Sequence, residues 1–174
     1  MTNIALILMR SAARTIWINR PVLNEMFTEA DRSFPSETGG ILLGYDSANT
    51  SEVVITCLVG PGPNAIHEWT SFVPDSVWQQ AQIDDHYHKS GRTETYLGDW
   101  HTHPSGGPHF SSKDRRTLKR IAKTPEARAP SPIMAILYGE RGGWGVRVGR
   151  LSAIKISKFV IGYRIQKLCT RIWG

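Results

Sequence analysis

Two histidines one residue apart, His101 and His103, stand at the end of the β-rich run Tyr96 to Thr102 and are followed by Pro104. In an extended segment residues i and i+2 point to the same side, so both imidazoles can be presented to one point. Pro104 restricts His103 to an extended backbone and so holds that arrangement. Asp114 comes eleven residues after His103, in the first turn of a predicted helix. The glycine-containing loop Ser105 to Phe110 leaves the chain free to fold that carboxylate back. Two imidazoles and one carboxylate make a three-ligand set with a fourth position left for water, the donor set of a hydrolytic zinc site rather than a structural one. Zinc lowers the pKa of bound water to about 7. Hydrolysis also needs a protein base. Glu37, which opens Glu-Thr-Gly-Gly-Ile-Leu-Leu-Gly at the mouth of an apolar strand, is the candidate.

Each signal also has a plainer reading. Taken alone, a His-x-His pair carries little weight as a metal site. Ser111-x-x-Asp114 fits a helix capping box. Asp114 is the only acid between Ser111 and Lys123, amid six basic residues that could pair with it, and Glu37 could be a surface carboxylate. A second pair, His86-Tyr-His88, serves as an internal control, because it falls in a predicted helix where i and i+2 diverge. His67-Glu68 has no histidine four residues after His67, so the HExxH motif is absent. His109 reads as a substrate-facing or solvent residue.

The elements that must position these side chains follow from periodicity and punctuation. Arg14 to Asn19 alternates as a strand, and Pro21 opens a helix that ends before Pro35. Gly39 to Tyr45 and Val53 to Val59 form a strand pair around the polar turn Asp46 to Ser51. Gly60 to Asn64 is a loop. Asp75 caps a helix running to about Lys89. Tyr96 to Thr102 is a strand, Ser111 to Lys123 a helix, and Ile133 to Tyr138 and Gly145 to Val148 are strands joined at Gly142-Gly143. Strands and helices mixed in this order predict an α/β fold, a mixed sheet flanked by helices. Ile154, Ile161, Ile165, Leu168 and Ile172 recur at helical spacing and predict a terminal helix packed on its own domain. A partner- or membrane-surface helix, and edge strands over Ile154 to Ile161, are the alternatives.

The chain has 174 residues, one domain's worth. Hydrophobic residues make up 40% and charged residues 21%, proportions that exclude disordered and fibrous classes. Its two cysteines cannot build a disulfide framework. The apolar run Ile4 to Met9 is too short to span a membrane and has no basic residue before it. A cytoplasmic location is therefore expected, with no membrane partner. From Arg141 to Gly174 there are eight basic residues and no acid, whereas residues 1–140 hold 13 basic and 15 acidic ones. Basicity confined to one end argues against a specific nucleic-acid-binding domain, which spreads its cations over the body.

Glu37 in ETGGILLG, His101-x-His103-Pro104, Ser111 and Asp114 together resemble the JAMM/MPN (JAB-type) metalloprotease family over about Arg14 to Arg150. The resemblance implies a cytidine-deaminase-like α/β sandwich that hydrolyses isopeptide or peptide bonds after the tail of a ubiquitin-like modifier. Carried over, His101, His103 and Asp114 ligate one zinc per chain, and Glu37 acts as general base and then acid. Ser111 donates a hydrogen bond to the oxyanion. The segments GPGPNA, FVPD and YLGDWHTHP look most like the prokaryotic branch, notably the deconjugating proteases of CBASS antiphage operons. That likeness implies a cGAS-like nucleotidyltransferase conjugate as substrate and ubiquitin-conjugation-like enzymes in the same pathway. The organisation expected is a short leader (1–12), a metalloprotease domain (13–150) and a basic amphipathic extension (151–174). A non-catalytic MPN scaffold and a DNA-associated JAB-type protein are the competing functions.

Overall fold

Alternation along Thr15–Asn19 puts Ile16 and Ile18 wholly inside and makes this segment the first strand, β1. The computed structural model describes residues 15–47, 52–155, 157 and 161–174. The expected leader and most of the turn after Asp46 lie outside the described residues. Pro21 falls in the first turn of α1 (Arg20–Ser33), where its missing N–H would have had no intrahelical partner. Strands β2 (Gly39–Asp46) and β3 (Glu52–Val59) follow, then a short ribbon of β4 (Ile66–His67) with β5 (Phe72–Val73). Asp75 caps α2 (Ser76–Lys89) by accepting the Trp78 N–H. Next come β6 (Thr95–Pro104), α3 (Ser112–Lys123), a 3-10 turn at Pro125–Ala127, β7 (Ile133–Glu140), β8 (Gly143–Lys155), β9 (Ile161–Lys167) and β10 (Cys169–Trp173).

Eight strands form one mixed sheet in the order β10-β1-β3-β2-β6-β7-β8-β9. Side-chain alternation divides its residues between two faces. Leu42, Ala135 and Leu137 pack with Val22, Met26 and Ala30 of α1 on one side. Ile41 and Leu43 meet Trp78 and Ile83 of α2 on the other, where Met134 meets Leu118 and Ala122 of α3. This is the expected α/β sandwich, with α1 on one face and α2 and α3 on the opposite one.

The C-terminal helix does not form. Residues 161–167 and 169–173 are strands β9 and β10, and β8 runs on to Lys155, so the position between residues 150 and 151 lies inside a strand. The apolar stripe proves to serve both faces of the sheet: Ile165 packs with the α3 cluster, whereas Leu168 and Ile172 join the α1 core. Two parallel facts favour strands here. The residues are rich in β-branched side chains, and both β1 and β8 present backbone groups that need partners. β10 pairs with β1, β9 pairs with β8, and Leu168, whose N–H donates to the Val148 carbonyl at 3.0 Å, links them.

Candidate active site

β6 runs through Pro104, so His101 and His103 are consecutive residues on one face of a strand, looking toward α3. Their Nε2 atoms lie 3.0 Å apart. Asp114, in the first turn of α3, brings Oδ1 to 3.3 Å from His101 Nε2 and Oδ2 to 3.7 Å from His103 Nε2. One ligand atom from each residue falls within 4.8 Å of the others, and no other group of three such side chains occurs among the described residues. Ligands about 2.0–2.1 Å from a tetrahedral ion sit roughly 3.3–3.4 Å apart. Asp114 turns one oxygen toward each histidine and the separations lie near that edge length, so the donor set fits a four-coordinate metal. The His103 Nδ1–H donates to the Gly107 carbonyl at 3.2 Å, which fixes the tautomer with Nε2 unprotonated toward the centre.

Asp114 satisfies the plainer reading as well. Its Oδ2 accepts the Ser111 N–H at 2.6 Å, and Ser111 Oγ accepts the Asp114 N–H at 3.1 Å, a complete capping box. Capping and convergence on the histidines are compatible because they orient the same buried carboxylate. None of the six neighbouring cations pairs with it among the described residues.

Glu37 precedes β2 and lines the same cavity, of about 710 Å³, as His101, His103, Ser111 and Asp114. Its N–H donates to the Glu68 carbonyl at 2.7 Å, and its carbonyl meets His67 Nδ1 at 3.0 Å. The β4–β5 ribbon thus pins the Glu37 backbone. The following glycines let neighbouring chains close in: a Cβ at Gly39 would collide with the Trp100 carbonyl and the Phe72 ring.

Beneath the site a buried polar chain ties the elements together. The Thr38 N–H donates to Thr102 Oγ1 at 2.9 Å, and the Thr102 N–H returns to the Thr38 carbonyl at 2.8 Å. Thr38 Oγ1 and Ser33 Oγ each donate to Glu29 Oε1 at 2.9 Å, and Arg32 holds the other oxygen. Thr38 adjoins Glu37, and Thr102 lies between the histidines, so their reciprocal bonds tie the two segments together while Glu29 of α1 holds Thr38 from below. Neither Glu29, the threonines nor the His67-Glu68 ribbon carries a local sequence signal for this role.

Burial raises the Glu37 carboxyl above its usual 4.5, with Asp114 adding to the effect while His101 and Lys113 oppose it. Burial and His101 lower His103 below its usual 6.5, against the Gly107 bond and Asp114. Burial would raise Asp114, but its bonds to His101 and Ser111 prevail and hold it well below the usual carboxylate range. The set therefore has an ionised Asp114, a readily neutral His103 and a base that binds its proton more tightly than an exposed glutamate does.

A sequence model for prokaryotic homologs of the JAB domain matches residues 19–149. The chain belongs to this family and is a JAMM-type metalloprotease. It is 46% identical over 134 residues, 75% of this chain and 80% of the relative, to "Probable metalloprotease y4qB" of Sinorhizobium fredii (strain NBRC 101917 / NGR234). It is 30% identical over 132 residues, 76% of this chain and 72% of the relative, to a protein named "CD-NTase/cGAS isopeptidase" from Enterobacter hormaechei subsp. hoffmannii (strain UCI 50). The solution structure of a Desulfitobacterium hafniense protein superimposes with a TM-score of 0.58 at 18% identity, over 91% of this chain and 94% of that one, a likeness of fold. No helix among the described residues is long and apolar enough to cross a membrane.

Proposed function

We propose that the chain is a zinc-dependent isopeptidase that releases a protein conjugated in a ubiquitin-like manner, the conjugated protein being a cGAS-like nucleotidyltransferase of an antiphage system. Ubiquitin-conjugation-like enzymes would make that conjugate, in the cytoplasm. The main support is the spacing of the His101, His103 and Asp114 ligand atoms, which suits a four-coordinate ion beside Glu37. The relative named an isopeptidase supports the substrate class.

In this reading His101, His103 and Asp114 hold one zinc ion. When bound, the metal supplies Lewis acidity that brings water toward a pKa of about 7 and polarises the scissile carbonyl. Glu37 takes a proton from the attacking water and delivers it to the leaving lysine amine as the C–N bond breaks. Burial raises its carboxyl above the usual 4.5, so it holds the accepted proton more tightly than an exposed glutamate does before passing it on. Ser111 Oγ accepts the Asp114 N–H, which orients the hydroxyl on the cavity wall, and in this reading its hydrogen turns to the oxyanion, a contact worth ~3 kcal/mol. The cavity, walled by Phe72 of the ribbon, Ile83 of α2 and Thr117 of α3, receives the extended tail before the scissile bond.

The test is metal analysis of the purified protein together with incubation on a tail–lysine isopeptide conjugate, with and without a chelator. Stoichiometric zinc and cleavage that chelation abolishes and added zinc restores are expected. Equal cleavage by metal-free protein would end the reading.

A further inference from the structure

α3 carries an arrangement that its own folding does not favour. Lys113, Arg115, Arg116, Lys119, Arg120 and Lys123 are all exposed, while Asp114, the helix's only acid, is turned inward. Arg115–Lys119, Arg116–Arg120 and Lys119–Lys123 are like-charged pairs four residues apart, and Lys113–Arg116, Arg116–Lys119 and Arg120–Lys123 are three apart. Such pairs weaken a helix. Lys113 and Arg115 also sit at the N-terminal end, where the macrodipole disfavours cations. None of the six makes an ion pair among the described residues. The helix across the cavity behaves differently: on α2, Lys89 pairs with Asp85 at 2.7 Å and Gln80 bonds Asp84 at 2.9 Å.

The charged surface and the candidate active site are continuous, because Lys113 and Arg120 line the cavity that holds His101 and Asp114. Whatever enters the cavity therefore also lies along α3. We propose that α3 is a docking surface for an acidic face of the folded protein whose tail occupies the cavity. That the ligand is a protein rather than a nucleic acid rests on the isopeptidase reading. A cavity of about 710 Å³ holds a few extended residues, which leaves the folded body of the conjugate outside, against the helix.

The test uses the full chain bearing Glu37→Gln, which separates binding from turnover. Three labelled probes are titrated: a Glu/Asp-rich peptide, a Ser/Asn-rich peptide of equal length, and a DNA duplex. Preference for the acidic peptide over the neutral one by about tenfold is expected, falling by about tenfold between about 50 and about 300 mM salt. Adding Arg116→Glu and Lys119→Glu should abolish the preference. These substitutions relieve like-charge pairs, so the melting temperature should hold or rise. Lys155→Glu with Arg164→Glu, on the other basic surface, should leave the preference in place. Equal losses from both double variants would reduce the effect to net charge and overturn the proposal. Binding of DNA without the acidic peptide would likewise overturn it in favour of a nucleic-acid surface. If the acidic peptide binds at α3 but wild-type protein cleaves no conjugate, the isopeptidase reading fails while the acidic-ligand surface stands. If the conjugate is cleaved but the acidic peptide is not preferred, the docking surface fails while the isopeptidase reading stands.

Discussion

His101-Thr-His103 and His86-Tyr-His88 share their spacing, yet their rings end in different company. On β6 the two rings converge, with ring centroids 4.9 Å apart and a carboxylate completing the cluster. On α2, His86 turns to Glu94, with 2.6 Å between Nε2 and Oε2, while His88 stays exposed. A two-residue step returns a side chain to the same side of a strand but swings it about 200° around a helix. The backbone period, then, and not the motif, decides whether two histidines can share a ligand. Only the strand pair also has a third donor returned to it by a loop.

The strongest way to break this contrast is to remove one ring from each pair. His103→Ala should abolish stoichiometric metal and cut turnover by at least about 10³-fold, whereas His86→Ala should leave metal content and turnover unchanged. Metal analysis and kinetics on both variants check this, and equal effects would erase the distinction. Glu37→Gln should retain the metal yet lose about 10²- to 10⁴-fold in turnover. Full activity in a folded Glu37→Gln protein would remove that residue from the chemistry.

Ser111 sharpens the picture because it caps α3 as well as facing the cavity. Ser111→Ala should lose about 10²-fold in kcat and also about 1 kcal/mol of stability. Ser111→Gly, an acceptable N-cap, should lose the same activity with only a few tenths of a kcal/mol in stability. Activity that tracks stability across the two variants would make the residue a cap alone.

The smallest effect concerns pH. Burial raises the Glu37 pKa above 4.5 in the folded state, so the fold binds that proton more tightly than the unfolded chain does. The stabilisation this gives is complete below the unfolded value and is lost as pH rises through the folded one. Metal-free Glu37→Gln should therefore match the parent's melting temperature in acid and exceed it slightly near neutrality. Thermal scans across that range check the sign, and a difference independent of pH would contradict it.

The site's donors were legible because each combines an unusual residue type with a local geometric rule: the strand step for His101 and His103, the helix start for Ser111 and Asp114. What held them in place was not. Thr38, Thr102 and Glu29 meet only after α1, β2 and β6 have packed, and their separations of 64 and 9 residues carry no periodicity. The ribbon that pins Glu37 consists of two-residue strands, too short for alternation to register. At the C-terminus the spacing of Ile161, Ile165, Leu168 and Ile172 fits a helical stripe. A chain that passes from one side of the sheet's core to the other produces the same pattern.

That passage also bears on how the molecule can be made. Thr15 pairs with Cys169, so the first described strand has β3 on one flank but must wait for residues 169–173 to be synthesised before its other flank is covered. Until then both rims of the sheet lie open to other chains, and β9 and β10, joined through Leu168, close them almost together. The late clasp leaves the growing sheet most open to strand addition from other chains in the interval before residues 161–173 are in place.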